Sequence, residues 1–204
     1  MTTLIKTKSS VTSKDITVGG MMIALFALSS NAIPPIYVIP NVPITLQVLV
    51  IMIIGALLGL KNGIFCVLAI LIATFCGLPF MSNFKGGPSV FISPTGGFVV
   101  GFLFIALFMG VYRDIIMPKI MDGKYKKAIH FPAFIAVGIL AVLFDYACGA
   151  IGLGLTGGKG IEKMPTIFLS ILTFLPMDLL KVVTAAILTF PLYLTLFQPK
   201  RNSQ

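Results

Sequence analysis

Residues 44–78 read ITLQVLVIMIIGALLGLKNGIFCVLAILIATFCGL, which is two apolar runs separated by the polar pair Lys61-Asn62. Lys61 is the single charged residue in this stretch. A helix needs roughly 20 mostly apolar residues to cross a bilayer core of about 30 Å, and each run approaches that length. The stretch therefore predicts two membrane-spanning helices joined by a short turn.

The same apolar pattern continues along the rest of the chain, in which 57% of the residues are hydrophobic and 10% are charged. Soluble domains carry about 25% charged residues, so this composition leaves apolar surface that only lipid can cover. The last apolar segment, 165–197, is too long for one straight span, and Pro176 is the natural break because it lacks a backbone N–H. The sequence predicts an all-α membrane protein with six transmembrane helices, at about 16–33, 44–60, 63–78, 95–112, 131–155 and 176–197.

The Lys and Arg residues are unevenly distributed between the two sides that these helices define. All but four of the 15 lie on the side that holds both termini, the Lys61 turn and the 113–130 loop. Basic loops stay in the cytoplasm, so we expect a multi-pass protein of the cell membrane with both termini inside. The predicted parts are a cytoplasmic segment at 1–15, a transmembrane domain at 16–197 and a cytoplasmic tail at 198–204. The lipid bilayer, not nucleic acid, then accounts for the net charge of +9.

Motifs for nucleotide or metal chemistry are not convincing. Gly152-x-Gly154-x-x-Gly157 has the spacing of a dinucleotide-binding loop, but it ends an apolar helix instead of following a strand. His130, the single histidine, lies beside a lysine-rich loop and is expected to be solvated. Without a cluster of His or carboxylate residues, we expect no metal, no cofactor and no intramembrane enzyme activity.

Charged residues occur where the last span should begin, in Phe174-Leu-Pro-Met-Asp178-Leu-Leu-Lys181. A charge at mid-bilayer costs about 2.5–3.5 kcal/mol, so Asp178 and Lys181 should face a cavity or a partner. Three residues apart on a helix, they share a face and can pair. Such a pair suits a small ligand that has both N–H donors and a carbonyl or carboxylate; the alternative is a structural ion pair.

Other polar residues fall near the same predicted outer surface. The glycine- and proline-rich loop at 78–97 predicts a shaped cap rather than a strand or helix, with Asn83 and Lys85 as its polar groups. Gln47 either contacts a ligand or ties two helices together. Asp145, beside Tyr146 in the fifth helix, is as readily a structural tether as a ligand contact. Together the loop and the charged pair outline an outward-facing pocket.

Small residues line one face of the first predicted helix. Gly20, Ala24, Ala27 and Asn31 follow one another at helical spacing. Small residues let helix backbones approach closely in lipid, so this face is either an internal seam or a surface that docks a partner.

Three motifs, taken in order along the chain, resemble the biotin-specific S components (the BioY family) of energy-coupling-factor (ECF) transporters. They are Val42-Pro-Ile-Thr45-Leu-Gln47, the loop that includes Gly77-Leu-Pro-Phe and Ser93-Pro-Thr-Gly-Gly-Phe98, and Phe174-Leu-Pro-Met-Asp178-Leu-Leu-Lys181. The resemblance implies the six-helix S-component fold with biotin bound near the extracellular surface. Asp178 and Lys181 would engage the polar ends of biotin with help from Asn83, and Gln47, Phe84 and Tyr146 would be part of the pocket wall.

The resemblance also implies partners. S components dock on a transmembrane coupling protein driven by two ABC ATPases, through an Ala-x-x-x-Ala pattern in the first helix. Here Gly20-x-x-x-Ala24 keeps small residues, but Leu28 follows Ala24; the expected docking residues are Gly20, Ala24 and Ala27. Two alternatives stay open at this point: an S component for another vitamin such as thiamine, and a membrane scaffold or channel in which Asp145 tethers helices.

Overall fold

A computed structural model describes residues 13–32, 36–39, 42–122, 127–156 and 164–197. The predicted tail at 198–204 and most of the predicted segment at 1–15 lie outside these residues. The elements in chain order are α1 (Ser13–Asn31), β1 (Ile36–Ile39), β2 (Val42–Ile44), α2 (Gln47–Phe75), α3 (Gly96–Val111), α4 (Met117–Met121), α5 (His130–Thr156), α6 (Met164–Ile171) and α7 (Leu175–Phe197). A π-helical turn, Tyr112–Ile116, joins α3 to α4.

The described chain is predominantly helical, as its composition predicts. Four helical stretches of the described residues are long and apolar enough to cross a membrane, namely Gln47–Phe75, Gly96–Met121, His130–Thr156 and Thr166–Phe197. The structure therefore contains four such stretches where six separate spans were expected. The difference arises partly from α2, which covers the second and third predicted helices.

Helix α2 reverses its direction at Gly59, whose φ of 82° and ψ of −177° are not helical. A Cβ atom on Gly63 would lie 3.2 Å from Gly55 Cα, whereas positions eight apart in a straight helix are separated by about 12 Å. The two halves of α2 thus run antiparallel. The turn lies at Gly59 and not at the predicted Lys61-Asn62, because this backbone conformation is essentially restricted to glycine.

The carboxylate of Asp114 stabilises this reversal of α2 by accepting a hydrogen bond. The Leu60 N–H donates to Asp114 Oδ2 at 2.9 Å, which satisfies one of the free N–H groups at the start of the second half of α2. Asp114 belongs to the π-helical turn, so the contact joins two parts of the chain that are distant in sequence.

Glycines allow the helices to pack closely. A Cβ atom on Gly55 would lie 2.8 Å from Ala106 O of α3, and one on Gly97 would lie 3.0 Å from Gly152 Cα of α5. Glycine at these two positions therefore lets α3 lie directly against α2 and α5, as small residues do between helices in lipid.

A two-stranded antiparallel hairpin, which the sequence analysis did not predict, connects α1 to α2. Ile36 pairs with Ile44 and Tyr37 with Pro43. The β-branched and aromatic residues of this connection favour an extended backbone, but the segment is too short and too rich in proline to be recognised from hydropathy.

The helix that follows the fifth span is interrupted close to the predicted break. A 3-10 turn, Leu172–Phe174, separates α6 from α7, and α7 begins at Leu175. Pro176 therefore lies in the first turn of α7, where its missing N–H costs no helical hydrogen bond.

Two ends of the helix bundle can be distinguished. At the basic end, which we define by Lys14, Lys61, Arg113 and Lys119, Arg113 Cζ lies 5.8 Å from the Tyr193 ring centre and Lys14 Nζ lies 5.4 Å from that of Phe197. At the opposite end, which we call the loop end, Asn31 Nδ2 donates to Pro79 O at 3.1 Å. The start of α1 and the end of α7 thus share the basic end.

His130 is buried at the basic end, so the expectation of a solvated loop histidine is wrong. It is 1% exposed. Its Nδ1 lies 2.6 Å from Tyr112 Oη, and its Nε2 lies 3.0 Å from Ala186 O. Because a carbonyl only accepts, Nε2 carries the proton and Nδ1 accepts from the Tyr112 hydroxyl. The ring therefore joins α5, α7 and the π-helical turn.

Candidate ligand-binding site

A cavity of about 770 Å³ lies at the loop end, between the helices and the 78–95 loop. This volume falls in the usual range for small-molecule sites. All six residues that the sequence analysis named as ligand candidates line it: Gln47, Asn83, Phe84, Tyr146, Asp178 and Lys181. The structure thus brings them together, and their contribution to binding stays a prediction.

The charged pair of α7 lies in the wall of this cavity. Lys181 Nζ is 2.6 Å from Asp178 Oδ1, and the Tyr146 hydroxyl of α5 donates to Asp178 Oδ2 at 2.5 Å. Asp178 and Lys181 are 5% and 8% exposed. Buried charges are tolerated only when they are paired and hydrogen-bonded, which is the arrangement found here. The pair supplies one anionic and one cationic group to the same cavity.

Gln47 begins α2 and holds α1 against it. Its Nε2 donates to Ser30 Oγ at 3.0 Å, and its Oε1 accepts from Thr45 Oγ1 at 3.0 Å. Both alternatives raised for Gln47 are therefore compatible with its position, since it ties two helices together and also lines the cavity.

The loop end is closed by a compact cap, which we define as residues 78–95. It contains two 3-10 turns, Ser82–Phe84 and Pro88–Val90. Asn83 and Phe84 have positive φ values of 61° and 54°, which non-glycine residues seldom adopt. The Phe84 N–H donates to Asn31 Oδ1 at 2.8 Å, so the end of α1 holds this part of the cap. Phe84 itself is 71% exposed although it is one of the residues that line the cavity.

Asp145 also lines the cavity, from α5, and is 2% exposed. The hydropathy pattern revealed the aspartate but not the direction of its side chain. The aromatic wall was not predicted either: Phe98 and Phe102 of α3 and Phe174 line the cavity. In a chain this rich in phenylalanine, only tertiary packing distinguishes a cavity wall from a lipid-facing surface.

The small-residue face of α1 points away from the bundle. Gly20 and Ala24 are exposed and Ala27 is half-buried, whereas Met22 and Phe26 of the same helix are buried. A Cβ atom on Gly20 would meet nothing within 4 Å. Gly20 and Ala24 therefore do not lie in an internal seam, whereas Asn31 of the same face contacts the cap. Partner docking by Gly20, Ala24 and Ala27 stays a prediction.

Metal binding has no support among the residues that the structure describes. They contain no group of three His, Cys, Asp or Glu side chains close enough to hold an ion. The polar groups of the cavity are instead one charged pair, one further carboxylate, Lys85 of the cap and neutral side chains within an apolar wall. Fold and site together define a multi-pass membrane protein with a cavity for a small amphipathic molecule.

The family profile of the BioY family matches residues 3–196. The chain belongs to the BioY family. It is 35% identical over 173 residues to the biotin transporter BioY of Rhizobium etli, which covers 82% of this chain and 89% of that protein. It is 31% identical over 175 residues to the biotin transporter BioY of Rhodobacter capsulatus, covering 81% and 88%.

A solved structure has the same fold. The crystal structure of the S-component for biotin from an ECF-type ABC transporter superposes with a TM-score of 0.76 at 28% identity. The match covers 90% of this chain and 94% of that one. The similarity therefore extends over most of both chains.

Proposed function

We propose that this chain is the S component of an ECF transporter, a substrate-binding subunit rather than an enzyme, and that it captures biotin from outside the cell. Family membership and the likeness to an S-component for biotin support the class of ligand. The observation that carries the proposal is the buried Asp178–Lys181 pair in the wall of a cavity of ligand size.

The polar groups of the cavity complement those of biotin. Biotin carries two ureido N–H donors and a ureido carbonyl at one end, and a carboxylate at the end of an aliphatic chain. An ionised carboxylate only accepts hydrogen bonds, so Asp178 suits a ureido N–H, while the Lys181 ammonium suits the carbonyl or the carboxylate. Phe98, Phe102 and Phe174 offer apolar surface to the ring system and chain.

Tyr146 prepares this site for its ligand. Its hydroxyl fixes Asp178 Oδ2, and Lys181 fixes Oδ1, so the carboxylate is oriented before biotin arrives. When the side chains of a site are ordered before the ligand arrives, the entropy lost on binding is smaller and the affinity is higher.

The proposed topology has six crossings, with the two halves of α2 counted separately. The reversal at Gly59 supports this count. The accumulation of Lys and Arg at the basic end favours a cytoplasmic location for that end, and hence for both termini, with the transmembrane domain at 16–197 between them. The cap and the cavity would then face outward.

Uptake against a gradient requires energy, and the sequence contains no convincing ATP-binding motif. We propose that a transmembrane coupling protein with two ABC ATPases provides it, and that this protein docks on the exposed face of α1 formed by Gly20, Ala24 and Ala27. The small side chains on that face support the proposal, because they permit close helix contact in a bilayer.

A competition experiment tests the choice of vitamin. Purified protein loaded with labelled biotin is challenged with unlabelled biotin, thiamine or riboflavin. We expect displacement by biotin alone, at about one site per chain. Tight binding of labelled thiamine by a chain that does not bind labelled biotin would replace the ligand and keep the class of protein. Absence of binding to every vitamin, with ion flux through the protein in liposomes, would support the channel alternative instead.

A further inference from the structure

Asp145 is a buried carboxylate to which the proposed function has given no role in ligand binding. It lies in the middle of α5, next to Tyr146, and is part of the cavity wall. Its side chain is almost fully buried, and its Oδ1 has no hydrogen-bond donor among the described residues. By contrast, both oxygens of Asp178 have partners. Of the two carboxylates in the cavity wall, the one with an oxygen that lacks a partner therefore belongs to α5 and not to α7.

A structural tether does not explain this residue. A tether needs a donor on a neighbouring helix, and the described part of the chain offers Oδ1 none. Burying a polar group without a compensating hydrogen bond is costly, and for an ionised carboxylate the cost is larger still. Such a group in a native structure calls for an explanation, and a contact with a ligand supplies one.

Helix α3 is shaped to receive this carboxylate. A Cβ atom on Gly101 would collide with Asp145 Oδ1 and lie 3.1 Å from Asp145 Cα. Only glycine at this position leaves the carboxylate room beside α3. The terminal torsion of an aspartate is roughly two-fold, so a half-turn of the carboxyl group exchanges the oxygen that lies beside Gly101 with the other oxygen.

We propose that Asp145 is a second ligand-contacting residue, which accepts a hydrogen bond from one ureido N–H of biotin. The other N–H is accepted by Asp178, so the ureido ring lies between carboxylates on α5 and α7. This inference rests on the proposed function, because it assigns a donor of biotin to an acceptor of the same cavity. It also limits the ligand to molecules that present two N–H donors at one end.

Substitution of the carboxylate separates a binding role from a structural one. Asp145→Ala removes the acceptor and is expected to weaken biotin binding roughly 10- to 100-fold, because it leaves a buried ureido N–H without a hydrogen-bond partner. Asp145→Asn keeps a neutral acceptor and should show a smaller loss. The matched control is Asp122→Ala, because Asp122 is exposed at the basic end. The Tm of biotin-free Asp145→Ala should equal or exceed that of the control, since no hydrogen bond is lost.

Biotin analogues identify the atom that is contacted. Methylation of either ureido nitrogen should weaken binding to the wild-type chain. For one of the two analogues, the methyl group should cost nothing further in Asp145→Ala, whereas the other analogue should lose as much as it does in the wild type. A purely structural effect of the substitution would instead add equally to the losses of both analogues, and that result would overturn the proposal.

The remaining outcomes are also decisive. A wild-type chain that binds no biotin would overturn the proposed function together with this inference. A wild-type chain that binds biotin, with Asp145→Ala binding it within about twofold, would overturn the role of Asp145 alone. A biotin-free Asp145→Ala variant that is markedly less stable than Asp122→Ala would identify the residue as structural and would likewise overturn it.

Discussion

Two buried tyrosine hydroxyls, one at each end of the molecule, make hydrogen bonds with different expected roles. The Tyr146 hydroxyl donates to Asp178 in the cavity, and the Tyr112 hydroxyl donates to His130 at the basic end. Both tyrosines are buried, and each joins different helices. The same substitution at the two positions should therefore affect binding in one case and stability in the other.

Tyr146→Phe removes the hydroxyl that orients Asp178 and keeps the ring. A hydrogen bond to a charged group contributes about 1.5–3 kcal/mol, so we expect biotin affinity to fall roughly tenfold or more in a binding titration. Tyr112→Phe is the matched control: it should lower Tm and leave affinity unchanged. Equal losses of affinity in both variants would show that the Tyr146 contact has no specific role at the site.

Among single residues, those that line the cavity were easiest to predict where burial of a charge carries a high free-energy cost. Asp178 and Lys181 stand out because charges within an apolar run require partners. The burial of His130 could not be predicted, because a residue beside a lysine-rich loop is expected to be exposed to solvent. Its two hydrogen-bond partners are distant from it in the sequence. The direction of the Asp145 side chain likewise depends on how α3 packs against α5.

Among the elements, α2 depends on one backbone conformation. Gly59→Ala should prevent or strongly weaken folding, because its φ of 82° with ψ of −177° excludes other residues and a Cβ atom would lie 2.6 Å from Asp114 Oδ1. Strain of this kind costs about 1–3 kcal/mol before the collision is counted. Thermal unfolding in detergent measures the effect. Gly20→Ala, on an open helix face, is the control and should be neutral or slightly stabilising.

Helix α1 should matter for transport but not for capture. Replacing Gly20 and Ala24 by leucine adds bulk to its exposed face without touching the cavity. We expect ATP-driven biotin uptake in cells that carry an ECF module to be lost, while biotin binding to the purified chain is retained. Leu155→Ala, on the exposed surface of α5, is the control. Uptake at the wild-type level with both leucines present would place the docking surface elsewhere.

Element boundaries were predictable where hydropathy and proline coincide, as for α3, α5 and α7. The reversal of α2 was placed two residues late because Lys61-Asn62 is polar, whereas the chain turns where glycine allows the required torsion angles. The β1–β2 hairpin was missed because a short strand pair leaves no periodic signal in an apolar connection.

At the scale of the whole molecule, we propose that the two ends of the bundle lie on opposite sides of the membrane. Cys76 is exposed at the end of α2 near the cap, and Lys61 is exposed at the basic end. A membrane-impermeant maleimide added to intact cells should label Cys76. Lys61→Cys in a Cys76→Ser background should be labelled only after the membrane is permeabilised. The reverse pattern would invert the proposed orientation.

We propose that the cavity at the loop end binds biotin through the Asp178–Lys181 pair, and calorimetric titration of the purified chain tests this proposal most directly. The wild type and the control Lys61→Ala should bind biotin equally and at about 1:1. The double variant Asp178→Asn with Lys181→Ala removes both charges together, so that neither is left buried and unpaired, and it should lose at least 100-fold in affinity while remaining folded. A double variant that binds biotin like the wild type would contradict the account.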